Sequence, residues 1–365
     1  MRIFFILEYY HPHTGGVETL FKSLAESLDS KGHQVTILTN QFDTKLSQSE
    51  SFGQNGLIIR KNYHNRYWFT FTAWWAAIKL AQKADLIHTT SFNAAVPAWI
   101  ASTVSGKKAV ITFHEYWGKL WFELPWMSYP SRVLHRLFER IVGGMKFNRF
   151  IAVSEATASS LRKAGINEER ISTIHNGIEY DEFPKHKRTD ARKPFHFLFF
   201  GRVGYSKGLD LLLPAYAKCN ETLNDHHLEL IIPSEDHSLL RKVLGVIEDL
   251  QLTSRVTLTH DLPRKELLQK IASSDAVIIP SYSEGFCYAA AETMAIGTPI
   301  ISSGRKALKE VVSGRFIEVD EFSVDGFSKA MIDALNDRWS ETPLKRFHLS
   351  DTIRKYEELY QELLG

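Results

Sequence analysis

Cys219 and Cys287 are the only cysteines in 365 residues. Two thiols are too few for a disulfide framework or a cysteine-built zinc cluster, so a reducing, cytoplasmic setting is expected. Excess charge of either sign is missing as well: 44 Lys plus Arg face 42 Asp plus Glu. No global field argues for wrapping nucleic acid, and any anion site has to be local. Long apolar runs are also absent. The opening stretch Met1–Leu7 ends at Glu8, short of a signal-peptide core, and reads instead as a first buried strand. Tyr67–Ile78 is too short to cross a bilayer, and Leu86–Gly106 is interrupted by polar residues and Pro97. No transmembrane segment is expected, and any membrane contact is expected to be peripheral. The chain also lacks a Gly-x-Gly-x-x-Gly after its first strand and a Walker phosphate loop, which weakens dinucleotide-oxidoreductase and NTPase readings.

The length suits two domains rather than one core. Short β-branched or aromatic runs alternate with helix-period stretches, starting with Ile3–Leu7, then Val17, Leu20, Phe21, Leu24, Ala25 and Leu28, then Val35–Thr39. Gly32 stands where a helix stop belongs. The alternation predicts parallel sheets covered on both faces. Periodicity lapses between Asn176 and Pro194, around the charged run Lys185-His186-Lys187-Arg188. A second α/β series opens at Phe195–Phe200. The expected division is an N-terminal domain at 1–180, a linker at 181–194, a C-terminal domain at 195–345 and a terminal helix at 346–365. That helix has an apolar stripe suited to packing back on either domain, the N-terminal one being the first candidate.

Open α/β sheets bind ligands beyond the carboxyl ends of their strands, and two such loops carry the strongest signals. Gly201-Arg202-Val203-Gly204-Tyr205-Ser206-Lys207-Gly208 leads from a strand into a helix. Two cations at the positive end of a helix dipole are unfavourable unless an anion joins them, so the pattern implies phosphate. The alternative is a solvated loop whose cations pair with surface carboxylates. The second loop runs from Pro280 through Glu284-Gly285-Phe286-Cys287-Tyr288-Ala289 to Glu292. Read as helix, the eight residues between the two glutamates span about 12 Å. That exceeds the separation of a retaining or inverting glycosidase pair and suits the two ends of a nucleotide sugar. The bland reading makes Glu284 a dipole-favoured helix carboxylate and Glu292 a surface residue.

Gly15-Gly16-Val17-Glu18, His175-Asn176-Gly177-Ile178, Gly201-Arg202 with Lys207-Gly208, and Glu284-Gly285-Phe286 through Glu292-Thr293-Met294-Ala295 with Gly297-Thr298-Pro299 resemble glycosyltransferase family 4. The likeness runs in order through nearly the whole chain. It implies a GT-B fold, two Rossmann-like domains with parallel sheets facing across a cleft, and a retaining, metal-independent hexosyltransferase. It implies that Arg202 and Lys207 hold the donor diphosphate, Glu284 the sugar hydroxyls and Glu292 the ribose. The amides of Phe286, Cys287, Tyr288 and Ala289 would meet sugar and phosphate, Gly15 and Gly16 would approach the phosphate, and His114 would lie near the reacting sugar. His114 and Glu284 are thus the catalytic candidates; the alternative for His114 is an ordinary loop histidine. Asn176-Gly177 reads as a positive-φ turn. Cys287 stands where the family has glycine, Ser302-Ser303-Gly304-Arg305-Lys306 lacks the usual paired glycines, and Pro233-Ser234-Glu235-Asp236 replaces a glycine-bearing turn; these departures bear on donor identity.

In a retaining transfer without a metal, fixed cations and N–H dipoles have to meet the charge on the leaving diphosphate. No Asp-x-Asp pair is placed to hold a divalent ion, and no cofactor is expected beyond the donor, a UDP- or GDP-sugar. Closure about the linker is expected to exclude water. The acceptor, a carbohydrate or a lipid-linked species of cell-envelope polysaccharide or glycolipid synthesis, is expected on the N-terminal half. That half is rich in aromatics at Tyr67–Trp75 and Tyr116–Trp126, followed by Arg132, Arg136, Arg140, Lys146 and Arg149. Rings beside cations suit sugar stacking or peripheral docking on the cytoplasmic, anionic membrane face; the alternative is plain core aromatics and a solvated helix. Two rival readings stay open: an epimerase or phosphorylase of the same fold, and a catalytically silent nucleotide-sugar-binding module.

Overall fold

The computed structural model describes residues 1–13, 15–186, 194–222, 225–234 and 237–365. Thr14, Lys187 and Arg188 of the expected linker, and Glu235 and Asp236 lie outside the described residues. The strands are β1 (Arg2–Ile6), β2 (Gln34–Asn40), β3 (Ser49–Phe52), β4 (Gly56–Lys61), β5 (Leu86–Thr90), β6 (Lys108–Phe113), β7 (Arg149–Ala152), β8 (Ile171–Thr173), β9 (Phe195–Phe200), β10 (His226–Ile231), β11 (Val256–Thr259), β12 (Ala276–Ile279), β13 (Ile300–Ser302), β14 (Arg315–Glu318) and β15 (Ser340–Glu341). The helices are α1 (Gly16–Ser30), α2 (Arg66–Thr72), α3 (Trp74–Ala81), α4 (Ala95–Ser105), α5 (Tyr129–Gly144), α6 (Glu155–Lys163), α7 (Leu209–Thr222), α8 (His237–Asp249), α9 (Arg264–Ser273), α10 (Tyr288–Ile296), α11 (Ala307–Val311), α12 (Val324–Leu335) and α13 (Leu349–Leu364).

The chain divides into two compact units. One comprises Met1–Phe122, Tyr129–Gly177 and Leu349–Gly365; the other comprises Glu123–Ser128 and Ile178–His348. In the first, eight strands run in the order β3-β4-β2-β1-β5-β6-β7-β8, all parallel but for β3, which pairs antiparallel with β4. In the second, seven strands run β11-β10-β9-β12-β13-β14-β15, parallel except for β15. Parallel pairing demands crossovers, and the helices that supply them cover the sheets. The direction of winding reverses between β1 and β5 in one sheet and between β9 and β12 in the other. Those two gaps are where an open sheet leaves a crevice.

Local sequence explains the elements. Leu20, Phe21, Leu24, Ala25 and Leu28 of α1 are buried at three-four spacing against the sheet, and Gly32, with φ of 83°, turns the chain away after it. Ser154 caps α6 by accepting from the Thr157 amide at 3.1 Å. Both faces of the first sheet are covered. α2 to α6 pack on one side around Phe69, Ala77, Ala98 and Phe150, while α1 and α13 pack on the other through Phe21, Tyr356 and Tyr360. The second unit has its own core, around Phe197, Leu212, Tyr216 and Phe327. Among the described residues no helix is long and apolar enough to cross a membrane. Neither Asn176 nor Gly177 has a left-handed φ, so the positive-φ turn expected there does not form; Asn176 is instead buried.

Candidate functional site

In the second unit, the two signal-bearing loops leave the strands that flank the winding reversal, β9 and β12. They are stitched to each other. The Tyr282 amide donates to the Ser206 carbonyl at 2.7 Å, and Gly208, with φ of 73°, packs so closely that a Cβ there would lie 2.0 Å from the Pro280 oxygen. The Tyr282 hydroxyl donates to Asp210 Oδ2 at 2.7 Å, and burial pushes the Asp210 carboxyl above its ordinary value. Lys207 Nζ and Ser281 Oγ both donate to Glu284 Oε1, each at 2.7 Å. The cation of one loop and the carboxylate of the other thus form one charge-neutral cluster. Arg202 is exposed and makes no ion pair among the described residues.

The helical span expected between the glutamates does not hold, because α10 starts only at Tyr288; Glu284 sits in the loop ahead of it. Cys287 is the N-cap of α10 with φ of 74°. That left-handed conformation is the reason a glycine suits the position. Burial, reinforced by the charge of Glu284, raises the Cys287 thiol well above its ordinary value, so it is a neutral thiol rather than a nucleophile. Phe286 is buried edge-on against Tyr288 and Phe347, at 5.5 and 5.2 Å, which fixes the start of α10. Tyr288 and Ala289 open the helix, in the turn whose N–H groups have no intrahelical acceptor. Glu292, on the first turns of α10, pairs with Arg264 at 2.8 Å, whose guanidinium lies over Phe183 at 5.7 Å. The added charge of Arg305 is engaged by Glu123 at 3.3 Å and by the Phe322 ring at 4.4 Å.

The first unit carries a separate cluster at its own winding reversal. Gly15 is the extended N-cap of α1, with φ of 170°, and Gly16 begins the helix. Glu18, in the first turn, is nearly buried and lies 2.8 Å from His13 Nδ1. His114 follows β6, and its Nε2 is buried without a hydrogen-bond partner. Burial lowers its pKa to about 4, with the nearby Glu18 charge pulling the other way, so the ring is neutral at pH 7. Glu8, just past β1, holds Arg66 at 2.9 Å and Asn93, which follows β5, at 2.9 Å; burial raises its carboxyl. No motif points to Glu8, His13 or Asn93, although a charged residue directly after a buried strand is a signal that could have found Glu8.

Comparison with known proteins bears on the family and the fold. The model of Glycosyltransferase Family 4 matches residues 14–182, and that of Glycosyl transferases group 1 matches residues 181–353. One component of the human phosphatidylinositol N-acetylglucosaminyltransferase is 24% identical over 90% of this chain and 67% of its own length. Two bacterial relatives are matched over less than half of theirs, 44% and 41%. Among solved structures, a sucrose-phosphate synthase from Thermosynechococcus elongatus superposes with a TM-score of 0.82 at 19% identity, covering 100% of this chain and 99% of that one. Anabaena HepE in complex with UDP-glucose gives 0.72 at 18% identity, covering 99% and 100%. With both halves matched in sequence and the fold matched throughout, the chain is a GT-B glycosyltransferase, its N-terminal half belonging to glycosyltransferase family 4 and its C-terminal half to glycosyl transferases group 1.

Proposed function

We propose that the chain moves a hexose from a UDP- or GDP-sugar to a carbohydrate or lipid-linked acceptor, with retention at the anomeric carbon and without a metal ion, in cell-envelope polysaccharide or glycolipid synthesis. One observation carries this reading: Lys207, Ser281 and Glu284 meet at the winding reversal of the second sheet, beside the starts of α7 and α10. Without donor, the ammonium and the carboxylate neutralise each other. A sugar diphosphate replaces both halves of that pair at once, its phosphates taking Lys207 and its hydroxyls taking Glu284. Neither charge is left bare, so the exchange avoids the cost of an unpaired ion. Arg202, already exposed, adds a bidentate donor to the phosphates. The N–H groups of Phe286 to Ala289 add dipoles that need no reorganisation as the leaving group gathers charge. Glu292 takes the ribose by exchanging Arg264 for its hydroxyls.

Retention follows front-face departure, with a leaving phosphate oxygen receiving the acceptor proton, so no protein base is assigned. His114, kept neutral by burial, supplies a hydrogen bond to a sugar hydroxyl without adding charge. Gly15 and Gly16 leave room for phosphate at the start of α1. The bound UDP-glucose of Anabaena HepE supports a uridine or related donor, and the name of the human relative, which carries phosphatidylinositol, supports a lipid acceptor. The test is calorimetric titration with UDP- and GDP-sugars, followed by turnover in excess EDTA and assignment of the product anomer. Lys207→Ala is expected to lower kcat by about 10²–10³-fold, the usual cost of one transition-state donor. Failure of every nucleotide sugar to bind the intact chain overturns the reading.

A further inference from the structure

α5 is apolar on both faces, and its inner side packs Val142 and Phe138 against the core of the first unit. Its inner face carries Glu139, only 3% exposed. This carboxylate accepts from the Trp117 and Gly118 amides at 2.7 and 2.8 Å and from Arg136 at 3.2 Å. Its outer face carries Leu134, 65% exposed, together with Val133, Leu137 and Ile141. That three-four spacing makes one apolar stripe on the side away from the core. On the same helical layer, α2 and α3 turn Tyr67, Trp68, Phe71 and Trp75 outward, the last two 69% and 70% exposed. By contrast, Tyr116 and Trp121 of the second aromatic cluster are buried and Trp126 packs in the core of the other unit; they are not part of this surface. Large side chains exposed in two groups on one layer mark an interaction site rather than scatter.

Charge decides what covers it. Between Lys61 and Arg149 stand 12 Lys and Arg against four Asp and Glu, leaving 32 against 38 in the rest of the chain. Three of those four carboxylates are engaged elsewhere: Asp85 holds Arg2, Glu139 is internal, and Glu123 belongs to the second unit and holds Arg305. Lys79, Lys83, Lys119, Arg140 and Lys146 are exposed and make no ion pair among the described residues. A second copy placed here about a two-fold axis would set these cations against themselves. An anionic bilayer complements them, and Trp and Tyr beside Lys and Arg are the residues that settle at a headgroup boundary. We propose that the outer faces of α2, α3 and α5 dock this chain on an anionic phospholipid bilayer, with the apolar side chains inserted and the surrounding cations held by lipid phosphates. The proposal deepens the reading of a lipid-linked acceptor and names the surface that meets the membrane.

The experiment is co-sedimentation of the full chain with phosphatidylcholine vesicles, with and without phosphatidylglycerol, at low and high salt. Binding is expected only with the anionic lipid and is expected to weaken as salt rises. Leu134→Gln with Leu137→Gln and Ile141→Gln, and separately Phe71→Ser with Trp75→Ser, are each expected to cut the vesicle-bound fraction at least about tenfold. Nucleotide-sugar binding and thermal midpoint should stay unchanged in both. The second pair keeps the test open where the α5 variant fails to fold. Equal sedimentation of folded variants and parent overturns the proposal, as does binding to neutral vesicles alone. So does a concentration-dependent dimer that these variants dissociate. Vesicle binding without any nucleotide-sugar binding would leave this surface standing and remove the donor assignment instead.

Discussion

Gly208 joins the two halves of the candidate donor site. Its φ of 73° lies in the left-handed region, and its α-carbon faces the Pro280 carbonyl with no room for a methyl group. Gly165 has a similar φ of 90°, but nothing lies within 4 Å of where its Cβ would be. The pair separates conformational cost from collision. Gly165→Ala is expected to cost about 1–2 kcal/mol, the penalty of a left-handed L-residue. Gly208→Ala is expected to cost clearly more and to abolish donor binding, since relief requires moving β9 and β12 apart. Urea unfolding of both variants checks this; equal shifts in midpoint would mean that the close approach does not matter. Cys287 shows the same constraint tolerated at a non-glycine residue, with φ of 74°.

At the scale of elements, α13 shows how a polar network can fasten a helix to a sheet. His88, on β5, shares hydrogens with Tyr360 at 2.5 Å and Thr112 at 2.8 Å, and Thr112 meets Tyr356 at 3.2 Å. Phe5 and Phe21 close round the ring at 5.5 and 4.8 Å. Burial, with His114 as a second nearby ring, lowers the pKa of His88 to about 3, as burial lowers that of His114 to about 4. Between these values and the ordinary 6.5, the unfolded chain binds protons that the folded chain does not. Stability is therefore full above about pH 6.5 and falls as pH drops towards 4, by up to about 1.4 kcal/mol per pH unit for each histidine. His114→Gln removes one of the two protons, so the slope of unfolding free energy between pH 4 and 6.5 should shrink by about half of their joint part. An unchanged slope would show that His114 is not buried neutral. Glu229, lowered to about 2 chiefly by its bond to His196, acts in a separate window: it stabilises above pH 4.5 and is lost only as pH falls towards 2.

For the whole molecule, each sheet has its own winding reversal and its own core, so ligand effects are expected to be local before they are global. A donor at 100 times its Kd raises stability by about 2.7 kcal/mol through mass action. The amides that gain most protection from hydrogen exchange should be those of 201–208 and 280–289. Protection confined to residues outside those loops would dissociate the bound nucleotide from Lys207 and Glu284. Charge is likewise uneven at this scale: in a near-neutral chain the stretch from Lys61 to Arg149 is strongly positive and the remainder negative. The net charge alone hid that polarity.

Periodicity and turn residues were enough to place most strands of both sheets, because parallel strands buried on both faces read as continuous apolar runs. Ala276–Ile279 and Phe195–Phe200 are legible for that reason. The β3–β4 hairpin was not, since Ser49–Phe52 is mostly exposed and carries no apolar alternation. The family motifs named Lys207 and Glu284 separately. Only the fold showed them paired through Ser281, because a bond across 77 residues depends on β9 lying beside β12. The outward direction of Leu134, Leu137 and Ile141 was also beyond the linear pattern. An amphipathic stripe predicts a helix but not which side meets the core, and here Val142 and Phe138 of α5 pack inward beside Glu139, held by the Trp117–Gly118 amides, while Leu134, Leu137 and Ile141 face out. The sequence by itself determined alternation, the loops that follow strands and the family; tertiary structure decided pairing and facing, which depend on contacts between residues far apart in the chain.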